Sequence, residues 1–217
     1  MKKKLFCLAI AAILVIACTN DRSIEEEKPI VIDPSSELIY FWNFNAVVGT
    51  TTSIAPDFDS SSETASITYD GTGAGYMDND GTVGYENNTR NGSIAGTLLK
   101  VRNPSDTRSL FLNMPTTGYK NVIVQFATAR SSNTGATVQN YSYTIDGTNY
   151  IQTGLSRITH NTTPDTPDLI VLDFSTISGI NDNPNFKVKI EFAGPTVSGT
   201  SGNNRFDNVT LEGIPLP

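Results

Sequence analysis

The spacing of its apolar residues restricts this chain more than any other feature. From Leu38 onward they come in short runs rich in β-branched and aromatic side chains, each closed by a cluster of Gly, Asn, Asp, Ser or Pro. No window beyond the first seventeen residues keeps a helical apolar period, so helix content should be small and strands should dominate. Candidate strands are Ile39–Phe44, Ala65–Tyr69, Leu98–Arg102, Ser109–Leu112, Val122–Ala129, Asn140–Thr144, Leu169–Asp173, Phe186–Phe192 and Asn208–Glu212. Two of them show the alternation of a half-buried strand. Val122, Val124 and Phe126 alternate with Ile123, Gln125 and Ala127, and Val188, Ile190 and Phe192 alternate with Lys187, Lys189 and Glu191. In the second case the charged side must face water while the apolar side packs.

Asp146-Gly147, between Tyr141-Ser-Tyr-Thr-Ile and Asn149-Tyr-Ile, fits a tight hairpin turn because Gly accepts positive φ without steric cost. Many short strands at such spacing predict an all-β domain, an antiparallel two-sheet jelly-roll β-sandwich, with a barrel as the competing architecture. Two polar stretches, Asp70–Ser93 and Ser131–Gln139, interrupt the strands; loops of that length in a domain are functional or disordered as a rule.

The first residues read differently. Lys2, Lys3 and Lys4 precede an uncharged apolar run, Leu5–Ala17, which is the layout of a secretory signal peptide over residues 1–17. The run is shorter than the roughly 20 residues of a transmembrane helix. Val15-Ile16-Ala17-Cys18 resembles the bacterial lipobox, which implies a lipid-modified Cys18 and a membrane partner that is lipid. Residues 18–37 are then expected to be a flexible tether, polar and interrupted by Pro29 and Pro34, and residues 38–217 the folded domain. Glu25-Glu26-Glu27 behind the cysteine resembles the surface-export signal of Bacteroidetes lipoproteins; a solvated linker is the plainer alternative. The implied location is the cell envelope, anchored to the outer membrane and exposed at the surface.

Composition excludes several functions. The chain carries a formal charge of −7 over 217 residues, and beyond the first lysines its cations are scattered singly, so no basic stripe exists to neutralise nucleic-acid phosphates. Its two cysteines are Cys7, inside the signal peptide, and Cys18, which leaves the domain without a disulfide, a thiolate zinc site or a cysteine nucleophile. His160 is the only histidine and no Gly-x-Ser-x-Gly elbow accompanies it, so no catalytic residue is assigned and no enzyme is expected. Asp78-Asn79-Asp80-Gly81 lacks the spacing and closing glutamate of a calcium loop, and with Asn181-Asp182-Asn183-Pro184 it reads as turn chemistry.

Three segments together resemble a known module. They are Phe41-Trp-Asn-Phe-Asn, then Leu99-Lys-Val-Arg-Asn-Pro with Thr117-Gly-Tyr-Lys-Asn-Val-Ile-Val-Gln-Phe-Ala-Thr-Ala-Arg, and Asn203-Asn-Arg-Phe-Asp-Asn-Val-Thr-Leu-Glu-Gly. Their order resembles a jelly-roll domain of secreted Bacteroidetes proteins, similar to carbohydrate-binding modules and galactose-binding-like domains, over Leu38–Gly213. The resemblance implies a non-catalytic binding module for glycans. It also implies a structural calcium between the first and last strands, with Asp207 as ligand and Asn43 or Asn45 opposite. For glycan contact the rings singled out are Tyr76 and Tyr85, in the long polar loop, and Tyr141 and Tyr143, which share one face of a strand where packing and stacking are both open. The alternative is a structural or protein-interaction accessory lipoprotein of an outer-membrane complex.

Overall fold

Alternation of apolar and polar side chains becomes strand structure along nearly the whole domain. The structure is a computed structural model that describes residues 33, 35–70, 75–79 and 81–217, so the expected signal peptide, Cys18 and most of the expected tether lie outside the described residues. In chain order the first strands are β1 (Glu37–Trp42), β2 (Thr50–Thr51), β3 (Ser53–Ile54), β4 (Phe58–Asp59), β5 (Ser66–Tyr69), β6 (Met77–Asp78) and β7 (Leu99–Arg102). They are followed by β8 (Ser109–Asn113), β9 (Tyr119–Arg130), β10 (Val138–Thr144), β11 (Thr159–Asn161), β12 (Asp168–Asp173), β13 (Lys187–Ala193) and β14 (Asn203–Pro215). All nine candidate strands are present. The sequence reading missed β2, β3, β4, β6 and β11, which have two or three residues each and are too short to show a period. Among the described residues the helical element is a single 3-10 turn, Ser178–Ile180.

The strands form two antiparallel sheets, which confirms the jelly-roll sandwich. One sheet runs β12-β9-β14-β7-β6-β2, with β1 pairing the second half of β14 and β4 pairing β1. The other runs β11-β10-β13-β8-β5-β3. β14 is the spine of the larger sheet: its first half lies between β7 and β9, and its second half between β1 and β9. The switch falls at a bulge between Asp207 and Thr210, where Asn208 takes φ 49°, a left-handed conformation that asparagine tolerates better than most residues.

Between the sheets lie the inward residues predicted by the alternation. Val122, Val124 and Phe126 meet Val188, Ile190 and Phe192 in one cluster that also holds Trp42, Phe44, Leu110, Leu112, Tyr141 and Tyr143. Aromatic edges meet aromatic faces through it: Tyr143 and Phe174 are 5.5 Å apart at 76°, and Phe126 and Tyr141 are 6.0 Å apart at 75°. At the open side of the sandwich His160, on β11, reaches Asp168, on β12, with Nε2 to Oδ2 at 3.2 Å, so the sole histidine ties the edge strands of the two sheets. The chain reverses around Asp146-Gly147, where Gly147 takes φ 84°, but in a wider loop than the tight turn expected, since Tyr143 and Ile151 are the residues that exchange both main-chain hydrogen bonds.

Candidate functional site

A two-sheet sandwich offers two outer faces, and the chain treats them differently. On the larger sheet the segment 84–90 lies along β14 as a strap. The Asp207 carboxylate accepts the Tyr85 N–H at 2.6 Å and its own neighbour's N–H, from Asn208, at 2.8 Å. Asn208 Nδ2 donates to the carbonyls of Tyr85 and Asn87, while Asn88 Nδ2 donates to Asn208 O and Thr210 Oγ1. Arg90 Nε closes the row on Glu212 at 2.6 Å. The approach is close enough that a Cβ at Gly84 would collide with Ala95 O and sit 2.6 Å from Asp207 Oδ2. Asp207 is therefore fully buried, and loss of water pushes its carboxyl up to about 7 although the two N–H donors pull the other way.

The residues expected to hold calcium are each bonded to backbone. Calcium takes six to eight oxygens. Asn45 Oδ1 instead accepts the Thr97 N–H at 2.6 Å, and Asn43 Oδ1 accepts the Asn45 N–H at 3.0 Å, so both serve local backbone while Asp207 serves Tyr85 and Asn208. Among the described residues no three His, Cys, Asp or Glu side chains gather as a metal cluster. The Asx-rich turns are explained by the backbone as well: Asn79 Oδ1 accepts Gly81 N–H, and Asn183 Oδ1 accepts Asn185 N–H.

The four tyrosines separate by burial. Tyr141 and Tyr143 are 0% and 2% exposed, with hydroxyls bonded to Gln139 Oε1 and Thr153 O. This corrects the expectation that they contact a ligand: both rings lie in the core cluster between the sheets. Tyr76 and Tyr85 are half-buried on the larger sheet's outer side. The Arg102 guanidinium carbon stands 5.8 Å from the centre of the Tyr76 ring, and the Tyr85 hydroxyl lies beside Arg205, which is itself paired with Asp165.

The outer side of the smaller sheet is partly covered: Ser142 and Thr144 are 5% and 0% exposed, while Phe111, Lys187 and Lys189 are half-exposed and Glu191 is exposed. Its middle row runs Ser142, Lys189, Phe111 and Thr68 in direct register, flanked by Asn140–Glu191–Ser109 and by Thr144–Lys187–Asn113–Ser66. Tyr150, presented by the hairpin that follows β10, lies 5.7 Å from the Phe111 ring, and Lys189 Nζ lies 4.9 Å from the Tyr150 ring centre. Lys189 also pairs with Glu191 at 3.0 Å. Asp146 sets this hairpin by accepting from Thr148 N–H, Asn149 N–H and Asn149 Nδ2, which holds its carboxyl far below the usual carboxylate range. Two half-exposed rings thus stand among amides, hydroxyls and a charge pair. The signal for Phe111 was present in its parity, because inward Leu110 and Leu112 force it out; Tyr150 carried no comparable signal, since its reach across two strands depends on the hairpin.

The fold places the chain in the class of jelly-roll sandwiches to which carbohydrate-binding modules belong. In particular it is similar to two xylan-binding domains of Paenibacillus barcinonensis Xyn10C. CBM22-1 superposes with a TM-score of 0.50 at 11% identity, over 86% of this chain and 100% of that domain. CBM22-2 gives a TM-score of 0.50 at 11% identity, over 80% of this chain and 98% of that one. No protein-family model and no curated protein sequence matches the chain.

Proposed function

We propose that this chain is a lipid-anchored, non-catalytic module that binds glycans on the outer face of its smaller sheet. The observation that carries this reading is the half-exposed Tyr150–Phe111 pair set in a row of polar side chains. Sugar rings offer apolar C–H faces to aromatic rings and hydroxyls to amides and charges, which is the composition of this face. The sandwich shared with xylan-binding domains supports a glycan as the ligand class. Cys18 supplies the anchor in this reading, and the cell envelope, on the outer membrane, is where the module works.

Affinity electrophoresis through gels containing plant and host polysaccharides tests the binding. At least one polymer should retard the protein, and Tyr150→Ala and Phe111→Ala should each relieve the retardation. Free migration in every gel would overturn the reading, and a constant crosslinked envelope protein in intact cells would then favour an accessory subunit. Incorporation of a labelled fatty acid, lost in Cys18→Ser, tests the anchor separately.

A further inference from the structure

We infer that the face selects glycans bearing carboxylates, such as uronic acid units, and that Lys187 is the residue that selects them. The inference rests on the glycan reading and adds a ligand class to it. The chain as a whole is acidic, with a formal charge of −7, yet strand β13 turns two lysines outward at the centre of this face. The two differ in their surroundings. Lys189 is already engaged, by Glu191 at 3.0 Å and by the Tyr150 ring at 4.9 Å.

Lys187 makes no ion pair among the described residues and is half-exposed. Its neighbours in register are Thr144 and Asn113, which are uncharged. The carboxylate of Asp146, two residues beyond Thr144, is ionised and is bonded within its own turn, with no ion pair to Lys187. A free ammonium therefore stands two strand positions, roughly 7 Å, from the lysine under the aromatic ring. That separation suits a sugar stacked on the rings whose neighbouring unit presents an anionic group.

A carboxylate there gains a charge-assisted hydrogen bond where a neutral hydroxyl gains an ordinary one. At the other end of β13, half-exposed surroundings give way to exposed Glu191, which repels a carboxylate. The strand thus offers a basic end and an acidic end to a ligand lying along it, and only the basic end accepts an anionic unit.

Titration calorimetry of the full domain with glucuronoxylan, with the same polymer after reduction of its carboxyl groups, and with polygalacturonate tests this at physiological ionic strength. The acidic polymers should bind about tenfold more tightly than the reduced one, and Lys187→Gln should bring the acidic and reduced polymers to within about twofold of each other. Equal affinity for acidic and reduced polymers, or a preference that survives in Lys187→Gln, would overturn the inference and leave the glycan reading standing. Absence of binding to all three, together with free migration in every polysaccharide gel, would overturn the reading itself.

Discussion

The main-chain N–H of Tyr85 donates to Asp207 Oδ2 at 2.6 Å, joining residues 122 positions apart and fastening a loop onto the bulge of the central strand. The bond gives the buried Asp207 carboxylate a main-chain donor from a distant loop. It also distinguishes the two faces of the sandwich, because the strap it holds lies on the larger sheet.

Removing this carboxylate should loosen the strap. Asp207→Ala leaves the N–H groups of Tyr85 and Asn208 without an acceptor in a buried place, which costs about 1–3 kcal/mol for an unsatisfied group. Urea unfolding should show the loss in midpoint, and hydrogen exchange should show it concentrated at residues 84–90. Binding to polysaccharide, measured on the opposite face, should not change.

The same group gives a pH dependence with a definite sign. A carboxyl raised from 3.8 to about 7 on folding binds its proton more tightly in the native state than in the unfolded chain. Its contribution to stability is complete below the unfolded pKa and is lost as pH rises through the folded value. His160, lowered by burial, acts in the opposite direction, so the comparison that isolates Asp207 is wild type against Asp207→Asn. Between about pH 4 and 8 the difference in unfolding midpoint should shift steadily against the wild type; a constant difference would show that Asp207 does not titrate there.

Calcium should leave the thermal midpoint where it stands in chelator. Asn43, Asn45 and Asp207 each already direct side-chain oxygens to backbone N–H groups, which hold them in place without an ion. An ion that binds the folded state raises the midpoint with concentration. A calcium-dependent rise that vanished in Asp207→Asn would place an ion at the strap after all.

Core and surface tyrosines should part in their effects. Tyr141→Ala removes a ring that is 0% exposed and should cost about 3–5 kcal/mol of stability, as large core truncations do. Tyr150→Ala should change stability by less than about 1.5 kcal/mol and weaken glycan binding up to tenfold, the worth of one aromatic contact. Denaturation and binding titrations on the same two variants make the comparison.

Much of the site was present in local patterns, and its assignment was not. Phe111, Lys187, Lys189 and Glu191 all declare themselves outward by alternating with buried neighbours, and Tyr141 and Tyr143 declare themselves inward in the same way. The tyrosines of the 76–85 segment drew attention because their loop is long and polar, yet that loop spends its main-chain and side-chain groups on β14. Tyr150 gained its role only when a hairpin swung it over Lys189 and Phe111.

By itself the sequence determined the longer strands, their inward and outward sides and the chain reversal near Asp146-Gly147. These depend on a two-residue repeat and on local backbone preferences, which are written in neighbouring residues. Tertiary structure decided which outward side the strap lies on. A strap reaching Asp207 from 122 residues away covers one face and buries a carboxylate that looked like a metal ligand, and burial of that kind depends on what folds on top of a residue, not on what stands beside it in the chain.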